Sequence, residues 1–325
     1  MVRENVLVTG GAGYIGSHTC KLLYEKGYQP VVFDNLSTGH MDFVKWGPIE
    51  VGDLLDKAAV KRVFSKYSFK SVFHFAAKAY VEESIKNPLD YYYSNIVGSV
   101  NLIDEFLANH GENFIFSSSC ATYGESLSEL IEENHVQNPI NPYGFTKLAI
   151  EKLLMAESQN RRFNYAVLRY FNAAGADPSC EIGEKHYPET HVIPLLVRAI
   201  RKNEVFTVNG NNFNTSDGTA VRDFVHVSDL ALAHVLALLH INSNSESLVL
   251  NVGTGKGISI GDLVNSAKDY DVNLRVEYKP KRIGDPAKLI ADKSRIEKIL
   301  DWQPLLSSTD MILKSAFDWD VQNSH

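Results

Sequence analysis

Short apolar runs alternate with helical patterns over about the first half of the chain. Each run is bounded by polar or glycine residues, which is typical of a buried strand. In chain order these runs lie at residues 6–9, 30–33, 48–53, 71–77, 113–116 and 163–170. Helical spacing of apolar positions is clearest at about 88–110 and 143–159. Strands that alternate with helices predict a doubly wound parallel sheet with right-handed crossovers.

The first predicted strand leads into a glycine-rich loop and then into a helical pattern. Gly10, Gly13 and Gly16 have the spacing G-x-x-G-x-x-G. Such glycines let the backbone approach a pyrophosphate, which then lies at the positive end of the helix dipole. The next strand ends in Asp34, an acid placed to accept hydrogen bonds from an adenosine ribose. No arginine follows Asp34 to bind a 2′-phosphate, so the pattern predicts NAD rather than NADP.

The tidy alternation stops after about residue 171, where loops and mixed segments follow. We therefore predict an NAD-binding Rossmann domain over 1–171 and a smaller, mixed α/β substrate-binding domain over 172–325. An apolar run at 248–253 predicts a late strand that returns to the first sheet, so segments near 222–253 are expected to belong with it. An asparagine-rich run at 201–216 predicts a recognition loop.

A tyrosine and a lysine share one helix face close to a serine-rich strand end. The strand at 113–116 is followed by three serines that end at Ser119, and Pro142 precedes a helical pattern that puts Tyr143 and Lys147 at i and i+4. The ammonium is expected to lower the pKa of the phenol from about 10, which would make it a general base. A Tyr-x-x-x-Lys pair is common by chance, but after a dinucleotide motif it indicates a proton relay for hydride transfer. His74, at the end of its strand, is interpreted as a core residue.

Composition and charge exclude several classes of function. The chain has 325 residues, 44% of them hydrophobic and 22% charged, which is ordinary for a globular enzyme. A net charge of −7 argues against a nucleic-acid partner. Cys20, Cys120 and Cys180 have neither disulfide nor metal-site spacing, and we predict no metal site. No run of 18 apolar residues and no signal peptide is found, so we expect a cytoplasmic protein with no membrane association.

These motifs resemble the extended short-chain dehydrogenase/reductase family and, more narrowly, the UDP-glucose 4-epimerase family, over nearly the whole chain. The matching segments are TGGAGYIGSH at 9–18, FDNL at 33–36, HFAA at 74–77, YGFTK at 143–147, LRYFN at 168–172 and DGTAVRDFVH at 217–226. The resemblance implies 4-epimerisation of a UDP-sugar substrate, UDP-glucose or UDP-galactose, by transient oxidation at C4 with NAD. It also implies a secondary activity on UDP-N-acetylhexosamines and a homodimer formed through the helices at 88–110 and 143–159.

The same resemblance implies roles for individual residues. The catalytic residues would be Ser119, Tyr143 and Lys147. The cofactor site would include the three glycines together with Tyr14, Ile15, Asp34, Asn35, Leu36, Ser37, Asp53, Leu54, Phe75, Ala76, Ala77, Asn95, Ser117, Tyr143, Lys147, Tyr170 and Phe171. The substrate site would include Ser119, Tyr143, Asn172, Val192, Arg222, Arg282, Asp285 and Leu289. One departure is that some family members carry a lysine near the nicotinamide where this chain has Ala79, with Lys78 beside it.

Three substrate residues also follow from loop chemistry or from the alignment. Arg222 and Arg282 lie in separate loops, and two guanidinium groups can clamp one diphosphate; two surface ion pairs are the alternative. Leu289 aligns with the family's position that senses the sugar's 2-substituent. Leucine is smaller than the tyrosine of some relatives, which predicts UDP-hexoses as the main substrates and weaker turnover of the N-acetyl pair.

Two other functions use the same scaffold. A sugar-nucleotide dehydratase or decarboxylase would need a further acid–base pair, and dehydratases of this superfamily carry Asp-Glu directly after the strand-end hydroxyl. This chain has Cys120 and Ala121 there, which disfavours a lyase. A dinucleotide-sensing regulator without catalysis would be suggested by loss of Tyr143 or Lys147, and both are present.

Overall fold

The structure is a computed structural model that describes residues 3–125, 128–161, 163–282 and 285–323. Its strands are β1 (Asn5–Thr9), β2 (Gln29–Asp34), β3 (Ile49–Val51), β4 (Ser71–His74), β5 (Asn113–Ser119), β6 (Asn164–Tyr170), β7 (Asn172–Ala174), β8 (Val205–Asn209), β9 (Val221–Arg222), β10 (Phe224–His226), β11 (Leu248–Val252), β12 (Ile258–Ser259), β13 (Arg275–Lys279) and β14 (Lys288–Leu289). Its α-helices are α1 (Tyr14–Glu25), α2 (Lys57–Lys66), α3 (Val81–Lys86), α4 (Pro88–Tyr91), α5 (Gly98–Ala108), α6 (Pro142–Asn160), α7 (Val192–Arg201), α8 (Val227–Asn244), α9 (Ile260–Ala267), α10 (Ser294–Leu300) and α11 (Thr309–Asn323). A π-helical turn, Tyr92–Val97, joins α4 to α5.

Among the described residues, seven parallel strands form the central sheet in the order β11-β6-β5-β4-β1-β2-β3. The chain runs outward from β1 through β2 to β3 and then returns to β4 on the other side of β1. The strand order therefore reverses between β1 and β4, where doubly wound sheets bind their ligands at the carboxyl ends of the strands. The predicted α/β class and doubly wound parallel sheet are confirmed.

Helices cover both faces of this sheet. Along β1, Val6 and Val8 pack with α1 and α8 on one face, whereas Leu7 packs with α2, α5 and α6 on the other. All three side chains are fully buried. Successive side chains of a strand point to opposite faces, so a strand covered on both sides must be apolar throughout. This is why the strands read as continuous apolar runs rather than as alternating ones.

Strand ends and helix starts fix the positions of the polar groups. Asn141 caps α6 by accepting a hydrogen bond from the Gly144 N–H at 2.9 Å, and Pro142 occupies the first turn. Ser119 ends β5 and caps the short helical turn Cys120–Thr122 by accepting from the Ala121 N–H at 3.1 Å. The cap of α6 thus sets Tyr143 in the first helical turn, and the end of β5 sets Ser119.

Strand β4 is shorter than predicted. It ends at His74 because the N–H groups of Phe75 and Ala76 both donate to the Thr9 carbonyl, at 2.9 and 3.1 Å. The chain therefore turns across the end of β1. His74 is confirmed as a core residue: its two ring nitrogens lie 2.7 Å from the hydroxyls of Thr9 and Ser99.

The later part of the chain builds a second core and also returns to the sheet. Strand β11 pairs with β6 in parallel, from Leu248 opposite Ala166 to Val252 opposite Tyr170. Apolar residues of α7, α9 and α11 pack with β8, β10 and β13 in a separate cluster. Residues 205–209 form β8, so the predicted loop over 201–216 is wrong in that part. The domain bounds stay a prediction. Within the described ranges, no helix is both long and apolar enough to cross a membrane.

Candidate active site

The loop after β1 forms a cradle at the start of α1. Gly10 has φ +73°, and a Cβ there would lie 2.6 Å from the Ala76 nitrogen. A Cβ on Gly16 would lie 2.2 Å from the Gly10 carbonyl oxygen. Gly13 caps α1 without a side chain, and the first turn has no acidic residue. The first N–H groups of the helix and its dipole are therefore available to an anion, and the cradle fits the pyrophosphate of a dinucleotide.

Asp34 supports this cradle from the end of β2. Its Oδ2 accepts from the Ala12 N–H at 3.0 Å and its Oδ1 from the Leu36 N–H at 2.9 Å. Burial raises the pKa of Asp34, although these two hydrogen bonds oppose the rise. A carboxylate has about four acceptor positions, so Asp34 can hold the loop and still accept from a ribose hydroxyl.

The predicted adenine-side residues lie together beyond Asp34. Asn35 Nδ2 donates to Asp53 Oδ2 at 2.8 Å, and Asn35 Oδ1 accepts from the Ser37 N–H at 3.0 Å. Leu54 is buried, and its carbonyl accepts from Asn101 Nδ2 at 2.8 Å. The structure thus brings residues from the ends of β2 and β3 to the same edge of the sheet.

The remaining predicted cofactor residues lie along the carboxyl ends of β1, β4, β5 and β6. Tyr14 donates to the Gly175 carbonyl at 2.5 Å. The Phe75 ring lies 4.8 Å from the His234 ring. Asn95, in the π-helical turn, is fully buried and donates to Thr146 Oγ1 at 3.0 Å. Half-buried or buried positions at the same edge are held by Ile15, Ala76, Ala77, Ser117, Tyr170 and Phe171.

The three predicted catalytic residues converge. The Ser119 hydroxyl lies near enough to the Tyr143 phenol to influence its pKa, and both side chains are buried. The ammonium nitrogen of Lys147 lies 5.9 Å from the centre of the Tyr143 ring. Lys147 Nζ donates to the Ser117 carbonyl at 2.7 Å, which ties α6 to the end of β5. A hydroxyl, a phenol and an amine therefore lie together at the carboxyl edge of the sheet.

The acid–base properties of this group differ from the expectation. Burial raises the pKa of Tyr143 well above 10, and Tyr170 adds to the rise while Ser119 opposes it. Burial also lowers the pKa of Lys147 to about 7, despite the attraction of Glu151. Among the protein groups alone, the pKa of Tyr143 is thus raised where the sequence predicts a lowered one, and desolvation of the phenolate is the largest cause.

Several predicted substrate residues form a second group. Arg222 Nη2 pairs with Asp285 Oδ1, and its Nη1 donates to the Val221 carbonyl at 2.8 Å. Leu289 lies opposite Arg222 in the pairing of β14 with β9 and packs against the cluster that contains Phe171. These residues come from three separate segments of the chain, and the fold brings them together.

The other predicted substrate residues are placed less closely. Asn172 and Val192 are half-buried at the starts of β7 and α7. Arg282 is exposed, and its charge interacts with Glu82 of α3. The clamp of Arg222 and Arg282 on one diphosphate stays a prediction.

Known proteins are similar to this chain in sequence and in overall fold. The sequence model of the NAD dependent epimerase/dehydratase family matches residues 6–253. The chain belongs to this family.

The UDP-glucose 4-epimerase of Rhizobium leguminosarum bv. trifolii is 44% identical, over 100% of this chain and 99% of the relative. The crystal structure of UDP-glucose 4-epimerase from Brucella ovis in complex with NAD has 46% identity and a TM-score of 0.93, covering 97% of this chain and 98% of that one. The UDP-Glc/GlcNAc 4-epimerase of Campylobacter jejuni has 38% identity and a TM-score of 0.85, covering 98% and 99%. The resemblance to the UDP-glucose 4-epimerases is confirmed.

Beneath Ser119 and Lys147 lies a buried ion pair that the sequence analysis missed. Arg169 Nε lies 3.0 and 3.1 Å from the two Glu151 carboxylate oxygens, and Arg169 Nη2 lies 2.7 Å from Oε2. Ser118, next to Ser119, donates to the same carboxylate. Glu151 is one helical turn beyond Lys147, and this spacing is the sequence signal that could have revealed it.

Lys78, beside the position where Ala79 departs from the family pattern, interacts with two carboxylates. Lys78 Nζ pairs with Asp90 and lies 4.0 Å from Glu83. Its backbone N–H donates to Asn95 Oδ1 at 2.8 Å. The ammonium is therefore engaged by carboxylates of α3 and α4.

A cluster of two histidines and two glutamates was also missed. Glu184, His186, Glu189 and His191 lie in the segment between β7 and α7, and the described residues show their ligand atoms within 4.8 Å of one another. Burial alone would lower the pKa of each histidine, but the two carboxylates outweigh it and raise the pKa of His186 to about 9 and that of His191 to about 10. The sequence signal is Glu-x-His repeated after five residues.

Proposed function

We propose that this protein interconverts UDP-glucose and UDP-galactose by NAD-dependent epimerisation at C4. The observation that carries the proposal is the convergence of Ser119, Tyr143 and Lys147 at the sheet edge that also holds the glycine cradle. Relatives called UDP-glucose 4-epimerase that match nearly the whole chain support it.

The cofactor is NAD, and the residues fit it. Gly10 and Gly16 have no Cβ atom, and a Cβ at either position would clash with the backbone that forms the cradle. Asp34, at the end of β2, has acceptor positions that the protein does not use. NAD supplies the hydride acceptor for oxidation at C4, the donor for the return, and a positive nicotinamide charge that favours a nearby phenolate.

The protein's own residues move the proton of the 4-hydroxyl. We assign Tyr143 as the base that takes this proton and later returns it, and Ser119 as the hydroxyl that holds the same substrate oxygen. Burial works against a phenolate, so the base needs positive charge beside it, which the bound cofactor and the protonated form of Lys147 would provide. Lys147 also donates a hydrogen bond to the Ser117 carbonyl and so fixes the position of α6 relative to the end of β5.

The second group of residues suits the UDP-sugar. Arg222 offers a nearly buried guanidinium for the diphosphate, and Asp285 holds that guanidinium in place. A diphosphate that stays bound would let the 4-keto sugar turn and present its opposite face to the returning hydride. Leu289 lines this group, and its moderate size supports a secondary activity on UDP-N-acetylhexosamines, as in the Campylobacter jejuni relative's name.

A direct assay tests the function. The purified protein is incubated with UDP-galactose without added NAD, and UDP-glucose is expected as the product. Tyr143→Phe should lower turnover by about 10²–10⁴-fold, the usual contribution of acid–base catalysis, while bound NAD, measured after denaturation, is unchanged. Tyr24→Phe, on the outer side of α1, is the matched control.

Other results of that assay would refute the proposal. Near-normal turnover by Tyr143→Phe would remove its role as the base. A 4-keto-6-deoxy product would indicate a lyase, and bound NAD with no turnover of any UDP-sugar would indicate a regulator. A requirement for NADP would contradict the role of Asp34.

We further propose a homodimer formed through α4, α5 and α6. Leu89 is 72% exposed, Tyr93 61% and Phe145 46%. These apolar side chains lie on the helices that the resemblance assigns to the dimer, and a second copy would remove them from water. A cytoplasmic location stays a prediction.

A further inference from the structure

We propose that Glu184, His186, Glu189 and His191 bind one zinc ion. The four residues follow β7 and precede α7, outside the group that we assign to catalysis. The proposal does not rest on the epimerase activity, because its measure is bound metal.

The spacing of the ligand atoms suits a tetrahedral ion. His186 Nδ1 lies 3.4 Å from Glu184 Oε1 and 3.5 Å from Glu189 Oε2. His191 Nδ1 lies 2.9 Å from Glu184 Oε1 and 3.3 Å from Glu189 Oε1. Zinc bonds of about 2.0–2.1 Å to nitrogen and oxygen give tetrahedral edges of about 3.3–3.4 Å. Three of the four separations are within about 0.2 Å of that edge, although the two from Glu189 use different oxygens. The 2.9 Å between His191 Nδ1 and Glu184 Oε1 would have to lengthen for an ion to enter.

The chemistry of the donor set also points to zinc. Imidazole nitrogen with carboxylate oxygen is a common zinc environment, and the ion would displace one proton from each imidazole and balance the charge of the two carboxylates. The side chains of Glu184, Glu189 and His186 are 6%, 12% and 16% exposed. The side chain of His191 is 44% exposed, so three of the four ligands are shielded from water.

Neighbouring groups hold the ligands in place. Glu189 Oε1 accepts from the N–H groups of Thr190 and His191 at 2.7 and 2.8 Å. The His186 ring makes edge contacts with the rings of Tyr14 and Tyr80. Such outer contacts orient metal ligands. In addition, His186 Nδ1 is buried without a hydrogen bond of good geometry, although carboxylate oxygens of Glu184 and Glu189 lie 3.4 and 3.5 Å away.

The position suggests what the ion would do. Tyr14 belongs to the cofactor loop, and Val192, directly after His191, begins α7. An ion at this point would fasten the segment from β7 to α7 against the cofactor loop. It would thereby hold the first turn of α7 beside the site.

Metal content tests the proposal. The purified full-length protein is treated with a chelator, loaded with Zn²⁺, passed through a desalting column and analysed by mass spectrometry for zinc. One zinc per chain is expected, and Co²⁺ in its place should give the visible absorption of a tetrahedral site. Glu189→Gln and the double variant His186→Gln/His191→Gln should weaken zinc binding at least ~100-fold, since loss of an outer partner alone costs 10–100-fold. His240→Gln on α8 is the matched control and should bind zinc normally.

Two results would overturn the proposal. The first is an unaltered protein that retains no zinc after loading. The second is a double variant that retains as much zinc as the unaltered protein. Circular dichroism and bound NAD show whether each variant is folded. If the double variant does not fold, the comparison passes to Glu189→Gln, and zinc binding equal to that of His240→Gln would refute the site.

Discussion

Replacing Arg169 with methionine is expected to lower the free energy of unfolding by about 3–5 kcal/mol, the usual cost of breaking a buried ion pair. The Glu151 side chain is fully buried and that of Arg169 is 3% exposed. Methionine fills most of the arginine volume, so the loss comes mainly from the carboxylate. In Arg169→Met that carboxylate keeps only the hydrogen bonds from Ser118 and from Gln137, the latter at 2.9 Å.

Two further variants separate charge from packing. Arg169→Met/Glu151→Leu removes both charges, and it should recover at least half of the loss, because a buried pair replaced by apolar residues is often neutral or stabilising. Arg161→Met breaks an ion pair at the end of the same helix, in which Arg161 Nε lies 3.3 Å from Glu157 and is 58% exposed. That pair should contribute about 1 kcal/mol or less.

Urea unfolding of the four proteins, followed by circular dichroism, gives the comparison. The argument fails if Arg169→Met unfolds within about 1 kcal/mol of the unaltered protein. It also fails if the double variant is no more stable than the single one, because the cost would then arise from lost packing or from the Arg169 hydrogen bond to Tyr123 at 2.9 Å.

Three other predictions follow from named side chains. Leu289→Tyr should lower the specificity constant for UDP-N-acetylhexosamines relative to UDP-hexoses by at least ~10-fold, or about 1.4 kcal/mol; an unchanged ratio would show that Leu289 does not contact the 2-substituent. Burial lowers the pKa of His234 to about 4. Between pH 6.5 and 4 this histidine is therefore protonated in the unfolded chain but not in the folded one, and the free energy of unfolding falls as the pH falls. His234→Leu should reduce the decrease of the unfolding free energy at acid pH by roughly 3 kcal/mol. An unaltered pH profile of the unfolding free energy would contradict this prediction. Leu89→Asp should convert a dimer to a monomer in light scattering at micromolar concentration, and a monomeric unaltered protein would count against the dimer itself.

The sequence predicts the cofactor half well because its signals are local. The loop from Gly10 to Gly16 lies between a strand and a helix, and Tyr143 follows a proline and an asparagine cap. Each of these features depends on residues a few positions apart. Strand positions and the convergence of Ser119, Tyr143 and Lys147 then follow from the parallel topology.

What the sequence does not predict depends on distant contacts or on burial. Arg169 and Glu151 are 18 positions apart and meet only when β6 packs beside α6. The pKa of Tyr143 depends on how completely the phenol is removed from water, which a motif does not encode. The end of β4 depends on the carbonyl of Thr9 in a neighbouring strand.

The pairing of β11 with β6 has a consequence for how the chain folds. Strand β11, which begins 78 positions after β6 ends, covers the edge of β6. The two strands pair from Leu248 opposite Ala166 to Val252 opposite Tyr170. Helix α8, which covers one face of the sheet, also lies beyond residue 170, between β10 and β11. During synthesis the emerging first 170 residues would therefore carry an open strand edge and an uncovered apolar face. The cofactor half and the substrate half cannot mature one after the other, and the last strand of the sheet joins only when most of the chain has left the ribosome.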